Sequence, residues 1–170
     1  MRKEIKNIAL ASVFSALSVA LIITGGVIEL LDLTVSAFCA LTVYISMIEI
    51  KGKYPFLIYL CTSVLSLIFM PLATSTLYYV AVFGYYPIIR YKLKKTGKLF
   101  SKIICLAIYN VSMILLYILF KAVFALHNEP ATMYIILLIT ANIFYLCFDY
   151  AMDVFAFIYI KKIRTKLGFK

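Results

Sequence analysis

Apolar residues run in long blocks along this chain, and polar residues gather in the short gaps between them. A helix of about 20 apolar residues crosses a hydrocarbon core of about 30 Å. Six blocks approach or exceed that length: residues 7–28, 33–50, 54–70, 74–89, 99–125 and 132–160. The second, third and fourth lie near the short limit. The last two exceed it, so they are expected to tilt or to project from the bilayer. No strand-length alternation interrupts the blocks, and backbone in lipid must satisfy its own hydrogen bonds, so the spans are predicted to be helices. The expected fold is a single all-α domain, 1–170, a polytopic bundle of six transmembrane helices.

The gaps carry the punctuation. Gly25 and Gly26 close the first span and lead, as a backbone turn, into an acidic turn with Glu29 and Asp32. Lys51, Gly52 and Lys53 separate the second and third spans. Pro55 falls in the first turn of the third, where its missing N–H costs nothing. Pro71 closes that span and Pro130 opens the last. Pro87, near the end of the fourth, either kinks the helix or marks an earlier end.

Composition then excludes a soluble domain. The 170 residues are 65% hydrophobic and only 14% charged, and the mean hydropathy is +1.05. Soluble domains carry about 25% charged residues. Cys39, Cys61, Cys105 and Cys147 all lie inside apolar blocks and read as small buried hydrophobes rather than as disulfide or metal frameworks. Arg2, Lys3 and Lys6 before the first block imitate a signal peptide. The block runs to Ile28 without a small-residue cleavage site, so it is expected to stay as a helix.

Net charge is +10. In a soluble chain that would suggest nucleic acid, but here the basic residues occupy alternate gaps. All but Lys121 fall at the N-terminus, at 51–53, at 90–102 or in the 161–170 tail. The positive-inside rule makes those segments cytoplasmic, with both termini inside and anionic lipid headgroups as neighbours. Glu29, Asp32 and Glu129 fall on the outer side. Nucleic acid is not an expected partner.

Against so few acids, Asp149 and Asp153 stand out. They are four apart, on one face of the last span, with Asn142 two turns earlier. Counting helical rise places them about 16 Å and 10 Å in from the cytoplasmic end. Carboxylates at that depth face a partner or a cavity. They read either as a site for substrate, cation or proton, or as a structural intramembrane network with Asn110 and Asn142. A metal centre is not expected. The outer rim, with Glu29, Asp32, Tyr78, Tyr79, Lys121 and His127, offers polar groups for a small ligand. Helix caps, interfacial aromatics and a snorkelling lysine account for the same residues without one. On the first span Ala9, Ser12, Ala16 and Ala20 recur at helical spacing. Small side chains allow close helix approach, either within the bundle or against a partner. Nucleotide-binding, zinc-protease, nucleophile-elbow and CxxC motifs do not occur, so neither an enzyme nor a cofactor is expected.

Four stretches, ALASVFSAL from Ala9, YLCTSVLSLIFMP from Tyr59, VFGYYPIIR from Val82 and KIICLAIYN from Lys102, carry a resemblance. The chain resembles the substrate-binding S component of energy-coupling factor transporters and, more closely, a family of small membrane proteins from Gram-positive bacteria. FGYYPII from Phe83 is the most specific stretch. The resemblance implies a subunit in the bacterial plasma membrane that binds a vitamin-like micronutrient near its outer side. It implies docking through Ala9, Ser12, Ala16 and Ala20 on a transmembrane coupling subunit driven by two ATPase subunits. No ligand residue of the family carries over. Two other readings stay open: a non-transporting membrane scaffold or assembly protein of similar fold, and a small proton-coupled permease using Asp149 and Asp153.

Overall fold

The structure, a computed structural model, describes residues 2–28, 31–50, 52–94, 97–124 and 131–163. Among them there is no strand. The elements are α1 (Arg2–Val27), α2 (Asp32–Glu49), α3 (Tyr54–Phe69), α4 (Thr74–Tyr78), a π-helical turn (Tyr79–Phe83), α5 (Tyr86–Leu93), α6 (Lys98–Phe124), α7 (Ala131–Ile158) and a second π turn (Tyr159–Ile163). Four helices are long and apolar enough to cross a membrane: Glu4–Val27, Asp32–Glu49, Phe100–Ala122 and Ile135–Lys161. Helix α3 is apolar but shorter. Large apolar side chains such as Ile8, Val13, Phe56, Ile68, Phe69, Ile103 and Leu115 face outward. In water that surface would be unfavourable at about 25 cal/mol per Å²; a hydrocarbon environment removes the cost.

The chain forms two compact units, Met1–Ala125 and Leu126–Lys170. In the first, α1 packs against α2 and α3, and α2 packs against α3, α4, the π turn and α5. Its core gathers Ile22, Cys39, Val43, Met47, Ile50, Ile58, Tyr79 and Ile88. The buried face of α1 is Ser15, Ser18, Val19, Ile22 and Gly25. Hydroxyls stitch this interface: Ser18 and Thr42 share a hydrogen bond of 2.6 Å, and the Cys39 thiol points at the Ser18 carbonyl.

Gly25 and Gly26 do not make a turn, because both lie inside α1. Their value is the missing side chain. A Cβ on Gly25 would lie 3.0 Å from Val35 Cβ, and one on Gly26 2.8 Å from Met70 Sδ. They let α2 and the α3–α4 turn close on the end of α1. The turns that do require glycine conformations are at Gly52 (φ 72°) and Gly97 (φ 119°).

The fourth span is not one helix. It is broken into α4, the π turn and α5, and Pro87 stands in the first turn of α5. Proline here neither kinks a helix nor ends one. Its absent N–H sits where no helical acceptor awaits it, so it begins the second half. The break comes earlier, at Tyr79–Phe83, where Gly84 N donates to Tyr79 O at 2.8 Å across five residues. Two cysteines depart from expectation: Cys39 and Cys105 are buried, but Cys61 and Cys147 are exposed, and all four are free thiols. Thiols on an outward apolar face need no protein cover in lipid.

The second unit is α7 with its π turn. Its low-exposure positions are Tyr145, Phe148, Asp149, Met152, Ala156 and Tyr159, one stripe along the helix. Phe144 stacks on Phe148 within that helix.

Candidate functional site

Helices α1 and α3 end, and α2 and α4 begin, at one end of the first unit. Asp32 is not in an exposed turn there. It is the first residue of α2 and is 9% exposed. Being at a helix N-terminus favours its negative charge. Its Oδ1 is buried without a hydrogen-bond partner. One turn along, the Ser36 hydroxyl lies 2.8 Å from the Asp32 carbonyl and 2.7 Å from that of Ser75. Ser75 in turn donates to Ile22 O at 3.3 Å. This ladder fixes α4 across the ends of α1 and α2.

Tyr78 is half-buried, interacts electrostatically with Asp32, and lies 6.1 Å from the Phe120 ring of α6. Lys121, next on α6, is half-buried. Four of the expected rim residues are thus described: Asp32 and Tyr78 come together, Lys121 neighbours the Tyr78 contact, and Tyr79 does not belong to the rim. Glu29 and His127 lie outside the described residues.

Tyr79 is fully buried and points into the bundle. Its ring lies 6.1 Å from that of Tyr59, whose hydroxyl donates to Val80 O at 3.1 Å. Tyr59 also lies 6.3 Å from Tyr85, and Tyr85 hydrogen-bonds to Ser112 of α6. Gly84 makes this possible: a Cβ there would fall 2.4 Å from the Tyr59 ring. Sequence reasoning missed Tyr59 entirely. The concentration of tyrosines in the fourth span was a signal, but nothing in it identified a partner on the third.

The deep polar residues divide. Asp149 is 7% exposed, whereas Asp153 is exposed. They are therefore not two buried carboxylates; Asp153 falls one helical step outside the stripe through Asp149 and Met152. Asn110 donates to Leu106 O at 2.9 Å and Asn142 to Leu138 O at 2.8 Å. Each amide bonds the carbonyl four residues back in its own helix, which lowers the cost of carrying it in lipid.

Ala9, Ser12, Ala16 and Ala20 are all exposed. Helix α1 uses its other face for the bundle, and Ser12 returns its hydroxyl to Ile8 O at 3.1 Å. The small-residue stripe is open. Among the described residues no cluster of His, Cys, Asp and Glu has the make-up of a metal site. Comparison with protein-family models, with curated proteins and with solved structures found no match to this chain.

Proposed function

We propose that this chain is the substrate-binding membrane subunit of a multi-component importer for a small, vitamin-like molecule. It would sit in a bacterial plasma membrane with six crossings and both termini in the cytoplasm. A transmembrane coupling subunit with two ATPase subunits would supply the energy. The observation that carries this reading is the face of α1. A stripe of small residues packed inside the bundle would serve the fold alone; Ala9, Ser12, Ala16 and Ala20 are instead exposed. Such a stripe gives another helix backbone close access. The buried Asp32 carboxylate beside Tyr78 supports a polar ligand position at the end of the bundle that the charge pattern assigns to the outside.

Affinity purification from gently solubilised native membranes tests the reading. The chain should bring down a polytopic partner together with ATPase subunits. A16L, which fills the stripe without touching the core, should cut that recovery at least roughly tenfold, the effect of about 1.4 kcal/mol at an interface. Its melting temperature should stay at the wild-type value. Recovery of neither partner by the wild-type chain would sink the importer reading. A membrane partner recovered without ATPases would turn it toward the scaffold.

A further inference from the structure

The end of the first unit opposite Asp32 is basic. There α1 and α3 begin, α2 ends, and α5 hands over to α6. Six bases fall within the 13 residues of that hand-over: Arg90, Lys92, Lys94, Lys95, Lys98 and Lys102. No Asp or Glu occurs between Glu49 and Glu129. Among the described residues of the unit, the acids at this end are Glu4 on α1 and Glu49 on α2. Each belongs to another basic stretch: Glu4 stands among Arg2, Lys3 and Lys6, and Glu49 precedes Lys51 and Lys53. The corner between α5 and α6 is therefore the most strongly positive part of the unit.

The packing sets the depth of these bases. Ile88 of α5 lies in the same core cluster as Ile50, which caps α2. Beyond Ile88 the helix leaves the core, and Tyr91, Lys92 and Lys94 are exposed. They stand roughly 5–9 Å further along the axis than Ile88. Gly97, at φ 119°, makes the turn, and α6 starts at Lys98. Helix α6 packs on α5 with Ser101 and Cys105 buried. Its outward face there is Phe100, 58% exposed, Ile103, 62% exposed, and the exposed Lys102.

Ammonium groups flanked by outward apolar side chains suit an occupant with two parts, one anionic and one apolar. A soluble phosphate would answer the lysines and leave Phe100 and Ile103 in water. A phospholipid answers both. Its phosphate meets the ammonium groups, its chains cover the apolar residues, and the lysine stems lie along that same apolar surface. Tyrosine, as at Tyr91, suits the headgroup level. Anionic headgroups attract each base near the surface, which neutral ones do not.

We propose that the α5–α6 corner is a binding surface for anionic phospholipid, with Lys92, Lys94 and Lys102 on headgroup phosphates and Phe100 and Ile103 against acyl chains. The phosphates can belong to different lipid molecules, so the lysines need not converge on one point. None of this rests on the importer reading; the corner needs only a headgroup layer at this end of the unit.

Thermal unfolding of the purified protein in mixed micelles tests the surface. The midpoint should be at least about 2 °C higher with dioleoyl phosphatidylglycerol than with dioleoyl phosphatidylcholine, for a chain of this size. Screening at about 1 M salt should shrink the difference. The triple variant Lys92→Gln, Lys94→Gln, Lys102→Gln should lose most of it. A control that removes equal charge from the tail, Lys161→Gln, Lys162→Gln, Lys166→Gln, should keep it. Glycerol 1-phosphate, the headgroup chemistry without chains, should not raise the midpoint. Native mass spectrometry of the wild-type chain, exposed to both lipids in equal amounts, reads the same preference without any variant. Phosphatidylglycerol should be retained at least about fivefold over phosphatidylcholine, the preference that one base near an anionic surface confers. Equal midpoints or equal retention in the two lipids overturn the surface, and are what an acidic protein partner at the corner would give. So does an equal loss in the tail variant, which would make the effect one of overall charge. A full rise with glycerol 1-phosphate would reassign the corner to a soluble phosphate.

Discussion

Gly84 shows how much a single position can decide. An added methyl would meet the Tyr59 ring at 2.4 Å and the Tyr79 carbonyl oxygen at 2.9 Å. The ring can swing, but the carbonyl belongs to the π turn and cannot. Gly84→Ala should therefore cost about 1–3 kcal/mol, the range for overpacking. Thermal unfolding in detergent measures this, and an unchanged midpoint would show that the Tyr59 contact is dispensable. The glycine was legible as part of the FGYYPII stretch. Its reason was not, because Tyr59 lies far away in sequence and no periodicity reports a contact between spans. Asp32 was obscured differently. Acidic residues beside glycines suggest a turn, and only packing against α4 shows that α2 has already begun. Composition drew attention to Asp149, which is 7% exposed, but a spacing of four could not tell a buried stripe from its margin.

Among the elements, the long apolar blocks translated most directly into helices. α1, α2, α6 and α7 lie within a few residues of their expected bounds, because length and hydropathy fix such segments without tertiary help. The fourth block did not survive as one helix. A hydropathy run cannot reveal a π turn, which here coincides with the Tyr59 hydroxyl bonding Val80 O and with the close approach at Gly84. If those contacts break the span, Pro87 is a consequence of the break and not its source. Pro87→Ala should then leave helix content by circular dichroism unchanged and shift stability by less than about 1 kcal/mol, far from the ~3 kcal/mol of a mid-helix proline. A gain of helix content and a clear rise in melting temperature would mean that the proline held the span apart.

For the molecule as a whole, the charge distribution makes the firmest claim. Basic residues crowd alternate gaps, so Gly52 and Gly97 should face the cytoplasm and Asn128 the outside. On a background without the four native cysteines, Asn128→Cys should react with an impermeant maleimide on intact cells. Gly97→Cys should react only after permeabilisation. Labelling of Gly97→Cys on intact cells would reverse or abolish the six-crossing arrangement. The outward apolar surface and four membrane-length helices agree with a bilayer setting. Function was far less legible, because recognition depends on which groups meet across helices. Those meetings, Asp32 with Tyr78 and Tyr59 with Tyr79, are encoded by packing and not by order along the chain.

The back-bonded polar side chains have a meaning for biogenesis. Ser12, Ser15, Ser112, Thr140, Asn110 and Asn142 each bond a carbonyl of their own helix, so α1, α6 and α7 carry these groups already satisfied when they first meet lipid. Helix α3 differs. It is short, and neither Thr62 nor Ser63 bonds a carbonyl of its own helix. If α3 is one of the six proposed crossings, its entry into the bilayer is the step most dependent on neighbours. It would gain most from arriving together with α4 and the π turn, as a hairpin, rather than as a solitary span.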